Sequence, residues 1–445
     1  MPSSSGRWRA SALVAAALAA YAGAFAGAFQ FDDFNVIVRE GAVHSPGAWW
    51  DSMPGIRPLL KLSYALSWVA GGGSTLPFHA LNVALHAANV LLAWAILRLV
   101  FERMGAGGDG FAAFAAALLF ALHPAHTEAV TYISGRSVSM MASFYLAAVL
   151  AHLREGPRWL SPLFFALALG VKEVAVTLPA ALVLCEALDL RRPFRWREAL
   201  RRSAPHWALL ALAVALMGAL SRYREMLETS LALRAPLEQL ELQLGALLRH
   251  VGVLTLAVPP NIDPQVTPLP AGAGFAVLAA IGVGVALLRA QPWYAFAILW
   301  FLLHLAPTNS ILPRLDAAND RQLYLASIGP LALAGLAISL MPRWRMALVA
   351  IGALALGAGT VLRNQDYRSE VALWGDTVEK SPGSARAWNN LGYAYQGEGR
   401  REAACATYAR ALQLDAGQLR ARVNAAELRC TPAPRSPDAS PGSPR

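Results

Sequence analysis

Charge is scarce in this chain of 445 residues: Asp, Glu, Lys and Arg make up 15%, against 56% hydrophobic residues. A soluble protein of this length would carry about 25% charged residues. The deficit excludes a soluble globular enzyme and points to an integral membrane protein with a small polar appendage. A mean hydropathy of +0.41 agrees. Lysine is rare beside arginine, and the net charge is +10. No soluble basic domain is present to grip nucleic acid. The arginines sit in short loops, above all Arg191-Arg192-Pro193-Phe194-Arg195-Trp196-Arg197, where they set topology and hold anionic lipid head groups. Cysteine is scarce too. Cys185 falls inside an apolar run, and Cys405 and Cys430 could pair, but their spacing matches no disulfide or metal framework. A glycine-rich nucleotide loop, a zinc motif of convincing spacing and a nucleophile elbow are all absent from the sequence. The function classes that depend on them are set aside.

What the chain has is apolar runs. Counted with the positive-inside pattern, they predict an all-α fold: a polytopic domain of about eleven spans over 1–362, amino terminus inside and carboxyl terminus outside. The first run, 11–29, is read as an uncleaved span rather than a signal peptide. It ends at Gln30-Phe31-Asp32-Asp33. Two adjacent carboxylates at a membrane surface are costly and seldom idle, although they could simply mark the water interface. Residues 30–75 form a first external loop, with Trp49-Trp50 and the segment 63–68 as interfacial helices. The span at 76–100 carries His79, Asn82, His86 and Asn89 on one helix face. That stripe reads as inter-helix hydrogen bonding before it reads as a ligand set. A second external loop holds His123, His126, Glu128 and Arg136. Two His and a carboxylate are a common metal set, but His123-Pro124 breaks helical register. Lys172-Glu173 and Asp320-Arg321 are either structural ion pairs within their own motifs or groups that converge on a site. The stretch 237–258 is a further span or an interfacial helix, and charge parity favours the interface.

Beyond Arg363 the sequence turns polar and helical. Trp388-Asn389-Asn390-Leu391-Gly392-Tyr393-Ala394-Tyr395 fits the tetratricopeptide pattern W-x2-L-G-x2-Y, and a period of roughly 34 residues sets Trp374 under Tyr408. Residues 363–430 are thus expected to hold two to two and a half repeats. Residues 431–445, rich in Pro, Ser and Arg, are expected to be disordered.

The motifs also carry a resemblance. Phe31-Asp32-Asp33 resembles the acidic motif of polyprenol-phosphate-sugar-dependent glycosyltransferases of the C-type membrane fold. More narrowly, 122–130 (Leu-His-Pro-Ala-His-Thr-Glu-Ala-Val), 170–173 (Gly-Val-Lys-Glu), 320–324 (Asp-Arg-Gln-Leu-Tyr) and 363–370 resemble the TMTC proteins. Those join such a membrane domain to many more tetratricopeptide repeats than are present here. The resemblance implies transfer of a sugar, mannose in that family, from a polyprenyl phosphate to a hydroxyl on a protein or glycan at the outer face of a cell membrane. The chemistry fits the residues. A carboxylate takes the acceptor's proton, and cations stabilise the leaving phosphate. Asp33 is expected as the base and Asp32 as its support. Arg321, with Arg136 and Lys172, is expected on the donor phosphate, and Glu128, His123, His126, Glu173, Asp320 and Tyr324 as supporting residues. The need for a divalent metal is open. The repeats are expected to bind the acceptor or a partner outside the cytoplasm. The rival readings are a membrane-anchored scaffold for envelope assembly, which has no use for the acidic pair, and a polysaccharide polymerase or transporter.

Overall fold

A computed structural model describes residues 4–53, 55–310 and 312–430. Every regular element in them is helical. They form two compact units. One runs to residue 368 without 263–265; the other is made of those three residues and the chain after 368.

The first unit opens with α1 (Ser4–Ala20), then α2 (Pro46–Asp51) and α3 (Pro58–Gly71) in the first loop, and α4 (Leu76–Arg103). Next come α5 (Phe111–Leu122), α6 (Thr127–Val130), α7 (Arg136–Leu153), α8 (Leu160–Val171) and α9 (Leu178–Ala187). Then follow α10 (Trp196–Ala219), α11 (Ser221–Leu231), α12 (Pro236–Leu254), α13 (Gly274–Ala286) and α14 (Pro292–Leu305). The unit closes with α15 (Leu323–Ala326), α16 (Ile328–Ser339) and α17 (Arg345–Asp366). Prolines open α3, α12 and α14 at the first helical position, where the missing N–H costs nothing.

The core centres on α5. Its sequence is apolar on all sides, and every residue except Leu118 is buried, as such a helix requires. It packs against α1, α4, α16 and α17. The closest approach is at Gly335 of α16, where a Cβ would lie 2.5 Å from the Ala112 carbonyl oxygen and 2.8 Å from the Ala116 Cβ. Small residues let helix backbones meet this closely where dispersion, not water, drives association. The polar stripe of α4 is the seam expected from the sequence. His79 Nε2 meets the Gly27 carbonyl at 3.1 Å. Asn82 Nδ2 donates to the Val130 carbonyl at 3.1 Å. His86 reaches the Tyr324 hydroxyl and the Ala121 carbonyl, and Asn89 Nδ2 donates to the Ser139 carbonyl at 2.8 Å.

The expected count of eleven spans changes. Among the described residues four helical stretches are long and apolar enough to cross a membrane: 6–26, 76–103, 133–153 and 345–366. Three bent pairs, α5 with α6, α10 with α11, and the turn at Asp320 with α16, raise the number to seven. The other expected spans are shorter helices: α8, α13 and α14 have 10–17 residues, and the run at 174–188 divides into a 3-10 turn and the ten residues of α9. The segment 237–258 forms α12 and is not among the apolar spans. The expected boundary at 362 also moves, because α17 runs on to Asp366. Its polar end is bound into the first unit: Thr360 donates to the Leu122 carbonyl at 2.6 Å, and Asn364 to the Ala20 carbonyl at 2.8 Å.

The second unit holds α18 (Glu370–Lys380), α19 (Ala385–Gly397), α20 (Arg401–Leu414) and α21 (Leu419–Glu427). Ser369 and Ser384 cap α18 and α19. Trp374 and Tyr408 are buried. Gly392 is required by the fold: its Cβ would fall 2.5 Å from the Tyr408 ring. Cys405 and Cys430 form a disulfide. The tail at 431–445 lies outside the described residues.

Adding one methyl at Gly335 tests the helix packing. Gly335→Ala should destabilise the membrane unit by about 1–3 kcal/mol through overpacking, read as a lower melting temperature in detergent. Gly282→Ala, where nothing stands within 4 Å of the new methyl, should leave it unchanged.

Candidate active site

The acidic motif is bound in place by the second loop. After α1 the chain makes a short 3-10 turn and kinks at Phe31, whose φ is +48°. The kink sends Asp32 and Asp33 to different partners. Asp33 is wholly buried. Its Oδ2 accepts the Gln30 N–H at 3.0 Å, and its Oδ1 accepts the Ser134 N–H at 2.9 Å and the Ser134 hydroxyl. Asp32 is half-buried, and its backbone N–H donates to the Tyr132 hydroxyl at 3.0 Å. Burial pushes the Asp33 carboxyl up from its ordinary 3.8 to about 7, against the pull of the Ser134 and Gln30 bonds, and the Asp32 charge adds to the rise.

The charged motifs exchange partners. The structural ion pairs Lys172-Glu173 and Asp320-Arg321, which the sequence left open beside a role in the site, are not formed among the described residues. Glu173 instead takes Arg57, whose Nε lies 3.0 Å from Oε2. Burial raises the Glu173 pKa, but the Arg57 guanidinium overcomes it and holds the group at about 2. Arg57 stands in the left-handed region, φ +52°, a conformation uncommon outside glycine. Glu128 takes Arg321: the Arg321 N–H donates to Oε2 at 3.0 Å, and Nε lies 3.4 Å from Oε1. Asp320 binds Arg249 at 2.6 Å and the Asn261 N–H at 2.6 Å. Neighbours in sequence cannot easily aim opposite charges at one another once each is anchored in a different direction. The tertiary contacts therefore win.

This exchange leaves positive charge unmatched. Lys172, Arg314 and Arg321 line one small cavity, with His304 and Thr308, beside Val138, Met141, Val174 and Leu325. Lys172 Nζ donates to the Ser137 hydroxyl at 3.2 Å. Burial, then Arg321 and Arg57, push its amine well below the ordinary range. The Arg321 guanidinium lies 5.9 Å over the Tyr132 ring, the residue whose hydroxyl binds Asp32. The acidic motif and the cationic cavity thus share Tyr132. A partly desolvated set of cations against an apolar wall is suited to an anion that carries a hydrocarbon chain.

Other expected site residues lie elsewhere. Arg136 is fully buried and spends its donors on Asn82, Ser63, Ser67 and the Phe78 carbonyl, stacked between Tyr64 and Phe78. It braces the bundle and does not reach the cavity. His123 and His126 have both ring nitrogens engaged, with Leu254 and Ala125, and with Phe120 and Ser327. Among the described residues no three His, Cys, Asp or Glu are grouped to hold a metal ion. Tyr324 belongs to the core, bonded to His86 and Asn89. Sequence reasoning missed Arg314, Tyr132 and Ser134 as site residues. Ser134 and Tyr132 sit beside Arg136 in the loop already singled out, so the segment was legible although the residues were not. Arg314 lies in a loop with no motif.

Titration of Asp33 gives a test. Its folded pKa lies above the unfolded one, so its stabilising contribution is complete below pH 3.8 and is lost as the pH rises through about 7. The melting temperature of the full chain should fall across that window. Asp33→Asn, neutral throughout, should flatten the fall; an unaltered slope would show that another group carries it.

Comparison with known proteins agrees with the two-part architecture. A tetratricopeptide repeat family model matches residues 385–418. The chain is 37% identical over 156 residues to protein O-mannosyl-transferase Tmtc1 of Drosophila melanogaster, covering 34% of this chain and 16% of that protein. It is 37% identical over 99 residues to human protein O-mannosyl-transferase TMTC2, covering 22% and 11%. It is 34% identical over 165 residues to mouse TMTC1, covering 33% and 17%. The matched stretches thus span less than a fifth of each relative. No solved structure matches. With these likenesses, its helical membrane unit and its tetratricopeptide repeat, the chain is TMTC-like, similar over about a third of its length to the TMTC protein O-mannosyl-transferases.

Proposed function

We propose that this chain is a membrane glycosyltransferase that moves mannose from a polyprenyl phosphate to a protein hydroxyl. One observation carries the reading: a cationic cavity with an apolar wall lies beside Tyr132, whose hydroxyl accepts the backbone N–H of the half-buried Asp32. The donor's phosphate sits among Arg321, Arg314 and Lys172, with its hydrocarbon chain toward Val138, Val174 and Leu325. Asp32 takes the proton of the acceptor hydroxyl as that oxygen attacks the anomeric carbon. The bond from that carbon to the phosphate oxygen breaks, and the lipid phosphate leaves with the electron pair, stabilised by the cations. The roles expected within the acidic pair are exchanged. Asp33 is wholly buried with both oxygens bound to Gln30 and Ser134, so it holds the motif, and the half-buried Asp32 is the one an acceptor can reach. The names of the relatives support mannose and a protein acceptor.

The unit lies in the cell membrane with this site and the repeats on the outer side. The Cys405–Cys430 disulfide supports that side for the repeats, since such bonds persist in oxidising compartments. The paired repeat helices offer the acceptor a groove.

Two measurements test the chemistry on the full chain in vesicles. Asp32→Asn should lower turnover by roughly 10²-fold or more with donor binding intact. Near-normal turnover would remove Asp32 as the base. Arg321→Lys should raise the donor concentration needed for half-maximal rate, because ammonium lacks the two-pronged grip of guanidinium on phosphate. Unchanged donor dependence would end the phosphate role. Truncation after Arg368 should spare donor binding and reduce transfer to protein; loss of donor binding in a folded truncated chain would contradict the division of labour.

A further inference from the structure

Arg314 reaches the cavity from a loop that has no regular structure of its own, between α14 and the turn at Asp320. Its guanidinium makes no hydrogen bond among the described residues, and it faces two other cations. Burial and Arg321 disfavour its charged form, and Asp316 and Glu173 favour it only through space, without an ion pair among the described residues. No side-chain bond fixes the guanidinium, so its place is set through its backbone.

The backbone is held by a set of side chains from one other stretch. Arg234 Nη1 donates to the carbonyl of Arg314 itself at 2.7 Å, and Nη2 to that of Leu315 at 3.5 Å. Gln239 Nε2 donates to the carbonyls of Ser310 at 3.1 Å and Leu312 at 3.3 Å. Gln243, one turn further along α12, donates to the Ala317 carbonyl at 3.1 Å and accepts from Asn309 Nδ2 at 2.9 Å. The Ser230 hydroxyl donates to the Pro313 carbonyl. Gln239 and Gln243 are buried. Carbonyls of a loop left without a ladder need donors, and water serves most of them elsewhere. Here four side chains spaced along 230–243 serve the run 310–317 on both sides of Arg314. That is more fixation than an ordinary surface loop carries.

We propose that Arg234, Gln239 and Gln243 are positioning residues that seat Arg314 over the cavity and so set the affinity for a lipid-linked phosphate donor. This rests on the reading of the cavity as the donor site, and deepens it. Arg234 touches no donor; it acts through the Arg314 carbonyl.

The test uses the full chain in phosphatidylcholine vesicles with a polyprenyl-phosphate mannose as the probe, reading turnover and half-saturating donor separately. Arg314→Gln should raise the half-saturating donor about tenfold or more, as expected for a lost charge-assisted contact. Arg234→Met, which has no donor, should raise it comparably, with turnover at saturating donor nearly unchanged. Arg234→Lys, which can still donate to carbonyls, should restore most of the loss. The double variant Arg234→Met with Arg314→Gln should be no weaker than Arg314→Gln alone, since residues acting through one another are not additive. Gln239→Met gives the same readout if Arg234→Met fails to fold. Additive losses, or a fall in turnover with donor dependence unaltered, would overturn the positioning role and leave the donor site standing. Unchanged donor dependence in Arg314→Gln, Arg321→Lys and Lys172→Gln alike would overturn the donor site itself.

Discussion

A buried carboxylate and a guanidinium only 15% exposed, 193 residues apart in sequence, hold two loop motifs together: Glu128 and Arg321. Either charge alone in that place would cost several kcal/mol, and removing one partner of such a pair costs about 3–5 kcal/mol because the other is stranded. The loop after α5 and the turn before α15 therefore cannot reach their places independently. The same logic governs Arg249 with Asp320, whereas Arg57 and Glu173 keep 31% and 30% of their side chains exposed and are stabilised less by their pairing. Each acidic group of the motifs is neutralised from a distant segment, so the loops assemble as a set.

What the pairs leave over defines the site. Once Glu128, Glu173 and Asp320 are committed to partners, Lys172 and Arg314 have no acid within ion-pair distance among the described residues, and they meet Arg321 around one cavity. Unmatched positive charge against apolar side chains is costly for an empty protein and favourable for one that receives a lipid-borne anion. Arg136 marks the contrast. It is as buried as any of these groups, but its donors are satisfied by Asn82, Ser63, Ser67 and Phe78. A cation that is fully bonded braces a structure; one left incompletely bonded is available to a ligand.

The repeats solve a different problem. Tetratricopeptide arrays usually need about three or more repeats to bury a continuous core, and the described residues of this unit form four helices. The disulfide from Cys405 on α20 to Cys430 beyond α21 ties α21 to its neighbour and restricts the unfolded chain.

Composition and hydropathy alone determined the helical membrane class. The W-x2-L-G-x2-Y spacing determined the repeats, since a buried Trp–Tyr period and a close-approach glycine are local requirements that leave a local trace. The stripe of His79, Asn82, His86 and Asn89 was legible as a hydrogen-bonded seam for the same reason: helical spacing is short-range. The number of full-length spans was not, because a short apolar run does not reveal whether it crosses a membrane or packs inside a bundle. Nor was the assignment of charges. Lys172 stands next to Glu173, and Asp320 next to Arg321, in sequence; in the folded chain all four turn to partners far away or to a cavity. Which opposite charge a buried residue meets depends on distance through space, and only the tertiary structure decides that distance. Asp33 was found by sequence as important and by structure as buried and bound, because a pair of adjacent carboxylates announces a site, whereas the kink at Phe31 and the reach of Ser134 decide which of the two is buried and which is half-buried.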